Sequence, residues 1–470
     1  MDTLLLGLNA RYSHTNLALL YLRNEIRAAG HAARILEFDT TTRRQDILET
    51  VALTRPHVIL ISVYIWNGPL VTALLPDFRM LLPSAVIILG GPEVSYTADE
   101  WLERYPEVDV VVVGPAEEAV RRLAENGFGV EYDERILTVP NRPFSEVPFP
   151  YLEEDFPGLS HKYVYYESSR GCPCTCAYCV SGRADQAPEY RDVATTTAEL
   201  ERIIEHERLW PDPPIVKFVD RTFNARPARA REIWRFLAHA ETRATFHFEI
   251  HPAFLTDEDF LVLASAPAGR FQFEIGIQSV HPATLSGIGR RTVWETARMR
   301  VARIIELGTI AVHLDLIVGL PGEGLDEIAR SIDEVISLKP KRFDVGFLKS
   351  LPGTEIRERA EENSQIAMHD APYQVLANAW LTLAEFSRLR RIEQVIDAVW
   401  NTNRLETEID RLAEFCGGYF AAFCAAAYHA TEVGYDLSTR QKNKVQAFLQ
   451  STMSCILPLY DHEKEQKNDV

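Results

Sequence analysis

The sequence has no long apolar run. Its richest stretches, Val58–Ile65 and Val108–Val113, are of strand length, whereas a membrane-spanning helix needs about 20 apolar residues in succession. A membrane span is therefore not expected. Met1 leads into a strand-like run with neither a basic segment nor a small-residue cleavage site behind it, so no secretory leader is expected and the reading is cytoplasmic. Basic residues are also short in supply: 49 lysines and arginines face 67 acidic side chains, a net charge of −18. Nucleic-acid binders neutralise phosphates with a positive surface, so this balance sets DNA and RNA aside as substrates. No internal repeat or low-complexity tract is present. No G-x-G-x-x-G or Walker sequence follows the first strand-like run, which leaves dinucleotide and phosphate binding without support. The cysteines, finally, lack the spread of a disulfide framework in a small secreted chain.

What is present is an α/β beat. At roughly 150 residues per domain the chain has room for two to four. Over residues 1–125, strand-like runs at Thr3–Leu8, Ala33–Phe38, Val58–Ile65, Ala85–Leu89 and Val108–Val113 alternate with helical patterns such as Leu17–Ala29 and Ile47–Thr54. Near-continuous apolar strands between amphipathic helices predict a doubly wound, Rossmann-like parallel sheet. Ligands of such sheets sit on the loops after the strands, here Asn9–Asn16, Tyr64–Gly68, Gly90–Ser95 and Gly114–Glu118. Five prolines between Pro140 and Pro157 break the beat, and residues 126–160 read as a linker. Six more strand-like runs follow, at Tyr163–Glu167, Ile215–Val219, Thr245–Ile250, Phe271–Ile277, Ala311–Val318 and Arg342–Leu348. With helical patterns between them they predict a partial (β/α)6 barrel of the TIM type over residues 161–360, with catalytic groups at the strand ends. From about Tyr373 strand signals vanish; Tyr373–Arg391, Ile392–Trp400, Glu406–Ala427 and Thr439–Gln450 read as helices. Residues 370–470 are expected to form a helical domain with a frayed polar end at Asp461–Val470.

Of the seven cysteines, Cys172, Cys174, Cys176 and Cys179 fall within eight residues, in ESSRGCPCTCAYCVSG (Glu167–Gly182). Cys172, Cys176 and Cys179 have Cys-x3-Cys-x2-Cys spacing in a loop directly after a strand. Three thiolates can hold three irons of a cubane and leave the fourth iron open to a ligand. Cys174 could supply a fourth thiolate, so a closed cluster or a four-cysteine zinc site is the alternative. Zinc ligands usually come as two separated pairs, and no second pair lies nearby. Cys416, Cys424 and Cys455 are scattered through an apolar stretch, and the first two read as buried residues.

The segment SSRGCPCTCAYC resembles the signature of the radical S-adenosylmethionine (SAM) superfamily, with Tyr178 as the aromatic before the last cysteine. Members that also bind cobalamin commonly begin SRGCPF; here Cys174 replaces the Phe. VKFVDRTFN (Val216–Asn224), FHFEIHP (Phe246–Pro252), FEIGIQSVHPATL (Phe273–Leu285), LDLIVGLPGE (Leu314–Glu323) and FLKSLPGT (Phe347–Thr354) are similar, in order, to the later barrel strands of that family. The resemblance implies a [4Fe–4S] cluster on Cys172, Cys176 and Cys179. SAM chelates the open iron and yields a 5′-deoxyadenosyl radical on one-electron reduction. Tyr178, Asp220, Glu249, Glu274, Gln278 and Ser279, with the backbone at Val318 and Leu320, are the implied SAM contacts. Each polar member also has a plain structural reading, a strand-end hydrogen bond.

Residues 1–125 resemble the cobalamin-binding domain that precedes many such barrels, through NARYSHTNLALLYL (Asn9–Leu22) and GGPEVS (Gly90–Ser95); GPAEEA after the next strand is a partial departure. The implied cobalamin contacts are Ser13, His14, Thr15, Asn16, Ser62, Tyr64, Trp66, Asn67, Gly90, Gly91, Pro92, Glu93, Val94, Gly114 and Glu117. The Asp-x-His-x-x-Gly motif that supplies a lower axial imidazole is missing. The resemblance thus implies base-off cobalamin without a histidine ligand. The leading expectation is a cobalamin-dependent radical SAM methyltransferase acting on an unactivated carbon of a small molecule or peptide. Its radical and methylcobalamin chemistry would be fed by a one-electron donor such as flavodoxin or ferredoxin. A cyclase, rearrangement or oxidation enzyme is the alternative, and a cobalamin or metal sensor the non-catalytic one. No residue is assigned a catalytic role beyond holding cofactors.

Overall fold

The computed structural model describes residues 1–129, 134–182 and 187–468, with side chains through Cys455. The first layer is a six-stranded sheet of β1 (Asp2–Asn9), β2 (Ala32–Asp39), β3 (Val58–Ser62), β4 (Val86–Gly90), β5 (Val110–Val113) and β6 (Ile136–Thr138). Its order is β2-β1-β3-β4-β5-β6, and every pairing is parallel. The helices α1 (Leu17–Ala28), α2 (Arg44–Leu53), α3 (Gly68–Leu81), α4 (Pro92–Ser95), α5 (Ala98–Arg104) and α6 (Glu117–Glu125) cover it. Leucine, isoleucine and valine fill both faces, Leu4, Leu6 and Ile61 toward α2 and α3 and Leu5, Leu60 and Val112 toward α1 and α6. That is why these strands read as unbroken apolar runs. The chain runs from β1 out to β2 and returns to β3 on the other side, so the loops after β1 and β3 diverge and leave a crevice.

Two expectations need correction here. The third strand ends at Ser62, not Ile65. Buried Asn67 accepts from the Tyr64 N–H and donates to the carbonyls of Leu8 and Ser62, folding the chain back before the sheet can continue. The stretch read as a linker also contributes β6, paired in register with β5.

The second layer begins with β7 (Val164–Tyr166), followed by a two-stranded hairpin-like pair, β8 (Ser169–Arg170) and β9 (Glu189–Tyr190). The remaining strands are β10 (Ile215–Phe218), β11 (Thr245–Glu249), β12 (Phe271–Gln278), β13 (Ala311–Val318) and β14 (Arg342–Phe347). Sheet order is β14-β13-β12-β11-β10-β7, parallel throughout, so the barrel stays open between its first and last strands. The intervening helices are α7 (Val193–Glu207), α8 (Pro227–His239), α9 (Asp257–Ser265), α10 (Pro282–Gly287), α11 (Trp294–Glu306) and α12 (Leu325–Ile336). Burial alternates strictly along β12 and β13. Phe271, Phe273 and Ile275 are fully buried with Trp234 in the main core, while Gln272, Glu274, His313 and Asp315 occupy the other face.

The C-terminal part departs from its expected helices. After α13 (Glu355–Glu358), Ile366–Ala367 pairs with Val375–Ala377, so a small antiparallel ladder interrupts the segment read as all helix. α14 runs Leu383–Ile396, with Thr382 and Glu385 forming its capping box. It continues as a π-turn through Thr402. α15 (Glu406–Cys416) and α16 (Tyr419–Glu432) are separate helices, because Gly417 takes a left-handed conformation that ends the first. α17 (Lys442–Asn468) runs through most of the segment expected to fray; the last two residues lie outside the described residues. Among the described residues no helix is long and apolar enough to cross a membrane.

The π-turn has a specific task. Asn401 accepts from the Phe343 N–H at 2.9 Å and donates to the Phe343 carbonyl at 2.8 Å, occupying the free edge of β14 as a strand would. Asn401→Ala leaves both groups without this partner and is expected to cost about 2 kcal/mol. Chemical denaturation checks this, and an unchanged midpoint contradicts it.

Candidate functional site

The carboxyl ends of the two sheets face each other across one cavity of about 880 Å³. One wall comes from the loops after β1, β3, β4 and β5, through His14, Asn16, Tyr64, Trp66, Gly90, Gly91 and Gly114. The opposite wall comes from β7, the Arg170–Gly171 turn, β10, β11 and β12, through Tyr165, Lys217, Arg221, His247, Glu249 and Glu274. A slot in the cavity runs between α1 and α6, lined by Leu22, Leu60, Ile88, Val112 and Val120.

The cysteine loop follows β8 on the barrel side. It packs tightly: a Cβ on Gly182 would stand 1.7 Å from the Cys174 carbonyl oxygen, and one on Gly289 2.6 Å from that of Thr175. The three sulfurs in Cys-x3-Cys-x2-Cys spacing all accept hydrogen bonds. The Cys174 N–H reaches Cys172 Sγ at 3.4 Å, the Ser181 N–H reaches Cys179 Sγ at 3.4 Å, and Arg290 Nη1 stands 3.7 Å from Cys176 Sγ. Thr222 Oγ1 lies 3.7 Å from Cys172 Sγ. Cys172 and Cys174 also meet through their side chains, a contact that pulls the Cys172 thiol down and pushes Cys174 up. Burial pushes Cys176 up against the pull of Arg290 and the Tyr178 hydroxyl. Backbone and guanidinium donors on the sulfurs of Cys172, Cys176 and Cys179 suit thiolates on an anionic cluster. Among the described residues no three His, Cys, Asp or Glu side chains converge on the position of a single ion.

The residues implied for cobalamin divide into two groups. His14, Thr15, Asn16, Ser62, Tyr64, Trp66, Gly90, Gly91, Pro92, Gly114 and Glu117 line the cavity. Asn16 Nδ2 donates to Ser62 Oγ at 2.6 Å, tying the loop after β1 to the end of β3. Tyr64 and Trp66 stack at 4.3 Å. His14 Nδ1 meets the Tyr165 hydroxyl at 2.6 Å, and burial, with Lys217 and Arg11 nearby, lowers its pKa. Ser13, Asn67, Glu93 and Val94 are not on the cavity wall. The Ser13 carbonyl accepts from the Tyr163 N–H, Asn67 is the loop clasp described above, and Val94 is core. Glu93 is buried and accepts a hydrogen bond from the Tyr373 hydroxyl. Gly91 has a reason of its own: at φ +111° its Cβ would lie 2.5 Å from the Val63 carbonyl oxygen, so packing within the domain already requires glycine.

The residues implied for SAM divide in the same way. Glu249 and Glu274 line the cavity, the first paired with Arg221 and the second 3.3 Å from His247. Gln278 sits at a bulge in β12 with φ +71°, and its Oε1 is buried without a partner among the described residues. Tyr178 is half-buried beside Cys176. Asp220 is instead a fully buried acceptor for Ser168 and Ser169, and Ser279 donates to buried Glu323. Val318 and Leu320 are core.

Sequence reasoning missed Lys217, His247, Arg221 and Arg290. The first two could have been found as polar interruptions at every second residue in IVKF and TFHFE. Arg290 lies in the loop after α10 with no pattern to mark it. Its guanidinium donates to the Gly276 carbonyl, and its Nε is buried without a partner among the described residues. Arg170 was also overlooked. Its guanidinium donates to Glu167 at 3.0 and 2.9 Å and to Glu117 of α6 at 2.5 Å, and it lies over the Phe144 ring.

Comparison with known proteins agrees with this architecture. Residues 3–124 match the B12 binding domain family, residues 166–335 the radical SAM superfamily, and residues 363–455 a family of unknown function, DUF4080. Fold, site and matches together define a chain with a B12-binding domain ahead of a radical SAM domain and the DUF4080 region after it. It is 27% identical over 301 residues to 2-(S-pantetheinyl)-carbapenam-3-carboxylate methyltransferase of Streptantibioticus cattleyicolor, an alignment covering 58% of this chain and 43% of that protein. The chain therefore spans under half the length of that relative. Among solved structures, cobalamin-dependent SAM radical enzyme OxsB, with aqua-cobalamin and SAM bound, superposes with a TM-score of 0.68 at 16% identity, covering 99% of this chain and 81% of that one. Methyltransferase TsrM from Kitasatospora setae, with cobalamin and a [4Fe–4S] cluster, gives 0.62 at 20% identity, covering 79% and 76%.

The cysteine assignment is tested by iron content after anaerobic reconstitution. Cys172→Ala, Cys176→Ala and Cys179→Ala are each expected to lose most of the roughly four irons per chain, and Cys174→Ala to keep them. Loss of iron in Cys174→Ala as complete as in the other three contradicts the three-ligand set.

Proposed function

We propose that this chain is a cobalamin-dependent radical SAM methyltransferase that methylates an unactivated carbon of a small molecule or peptide. The observation that carries the reading is the single cavity. Bare glycine-bearing strand ends of the first sheet face acidic strand ends of the second and the two ends of the cysteine loop, Gly171 and Val180–Ser181, across the same space. When bound, cobalamin supplies a transferable methyl group and SAM with its cluster a hydrogen-abstracting radical; the protein's share is binding, orientation and exclusion of water. Curated relatives with methyltransferase names, including the carbapenam enzyme and a hopanoid C-3 methylase from Methylococcus capsulatus, support the outcome.

Individual residues divide the work. Cys172, Cys176 and Cys179 hold the cluster, and the hydrogen bonds onto their sulfurs stabilise its negative charge. The buried polar atoms of Arg290 and Gln278 that are unpartnered among the described residues support contacts from these two residues to the amino-acid and ribose parts of SAM. Glu249 and Glu274 orient groups at the cavity wall. On the facing wall the apolar lining from α1, α6 and the strands between them would take the displaced base of a base-off cobalamin, and the stacked Tyr64–Trp66 pair would line the same site. His14 is held by Tyr165 through Nδ1. No cysteine is spent on a disulfide, and the radical chemistry calls for a one-electron donor of the flavodoxin or ferredoxin type in a cytoplasmic setting.

Anaerobic enzyme reconstituted with iron, sulfide and hydroxocobalamin, given trideuteromethyl-SAM, reductant and a metabolite extract, tests the reading. The expected products are 5′-deoxyadenosine and a metabolite carrying the labelled methyl. 5′-Deoxyadenosine without label in any product would sink methylation in favour of rearrangement or oxidation. In the same preparation the cob(II)alamin electron paramagnetic resonance (EPR) spectrum is expected to lack nitrogen splitting; a splitting that His14→Ala removes would overturn the absence of a histidine ligand, and one that survives His14→Ala would overturn the base-off assignment.

A further inference from the structure

The charges on the cavity wall do not cancel. Four carboxylates line it, and each has a cationic or imidazole partner: Glu117 and Glu167 share Arg170, Glu249 takes Arg221, and Glu274 takes His247. Four carboxylates thus stand against Arg170, Arg221 and Lys217, and Lys217 is the lining cation with no carboxylate in contact among the described residues. It lies on the cavity face of β10, in register with Tyr165 on one side and His247 on the other. Among the described residues no carboxylate lies within ion-pair distance of its ammonium, whose Nζ stands 4.8 Å over the Tyr163 ring. A ring face attracts an ammonium but accepts no full hydrogen bond from it. Half-buried, the group has lost part of its water, and an unpaired charge in that position is costly until an anion meets it. Burial lowers its pKa below the ordinary lysine value against the upward pull of Glu274, which acts on it from beyond ion-pair distance.

Resting on the reading of the cavity as the reaction chamber, we infer that Lys217 docks a carboxylate of the substrate, with the substrate's apolar body against Tyr165. A carboxylate suits the site better than a phosphate. A phosphate calls for several donors, and the two arginines on this wall, Arg170 and Arg221, are already committed to carboxylates. A single ammonium matches a single negative charge. The cysteine loop, where the carboxylate of SAM would meet the open iron, is a separate stretch of the cavity wall.

The test uses holoenzyme loaded with cluster, hydroxocobalamin and S-adenosylhomocysteine, with loading read first from iron content and cobalamin absorbance. That first reading tests the cofactor assignment separately. Calorimetric titration with 3-phenylpropionate and 3-phenylpropionamide then compares two probes that differ in charge and little else. The wild type is expected to prefer the acid by roughly tenfold. Lys217→Arg is expected to keep that preference, and Lys217→Met to lose it while taking up cobalamin as the wild type does. Equal binding, no measurable binding of either probe, or a preference that Lys217→Met retains overturns the inference. Weakened cobalamin uptake by Lys217→Met also overturns it, because the lysine would then serve the cofactor's phosphate.

Discussion

Arg170 stands two residues before Cys172 and holds the two halves of the site together. Its guanidinium forms a fork on Glu167 of the barrel segment and a second contact on Glu117, the first residue of α6 in the cobalamin-type domain. Phe144, from the segment between the domains, covers its face at 4.6 Å. Three stretches of chain thus meet on one cation, largely out of water. Removing one member of such a buried set leaves an unpaired charge, a loss of order 3 kcal/mol or more. The cavity is defined by how the two sheets face each other, and this contact fixes that relation beside the cysteine loop.

From that constraint the chemistry of the chamber follows. Each wall presents strand ends, where side chains and free backbone groups project into space rather than into the core. On one side they are glycine, tyrosine and tryptophan, suited to a large flat ligand. On the other they are charged groups and the ends of a loop in which three cysteine sulfurs accept hydrogen bonds from backbone and guanidinium donors. The division of labour is a consequence of the two folds. A doubly wound sheet offers a shallow crevice at its switch point, and an open barrel a deep polar face at its strand ends.

Much of this was legible in the sequence. The two strand series, their parallel character and the cysteine loop all follow from apolar runs, periodicity and spacing. What failed to show was which polar strand-end residues face the cavity. Asn67, Glu93, Asp220 and Ser279 sit at the positions where ligands bind, yet each is spent on the chain itself: a loop clasp, a tyrosine contact, a pair of serines, a buried glutamate. A strand-end polar residue has two uses, and only its partners tell them apart. Lys217 and His247 carried a signal, because a polar residue every second place marks the inner face of a barrel strand. Arg290 carried none, since its role depends on a loop folding back onto Cys176. The break between α15 and α16 was visible as Gly417–Gly418, whereas the ladder at Val375–Ala377 was too short to stand out.

The central claim is that one cavity brings a cobalamin and an iron–sulfur cluster face to face. Anomalous diffraction from crystals of the reconstituted protein, collected at the cobalt and iron edges, measures this directly. The account predicts one cobalt site between the Gly90–Gly91 and Glu249–Glu274 walls, and an iron cluster bound by Cys172, Cys176 and Cys179 that opens into the same space. Cobalt located elsewhere, or iron that also takes Cys174 as a ligand and closes the cluster, would contradict it.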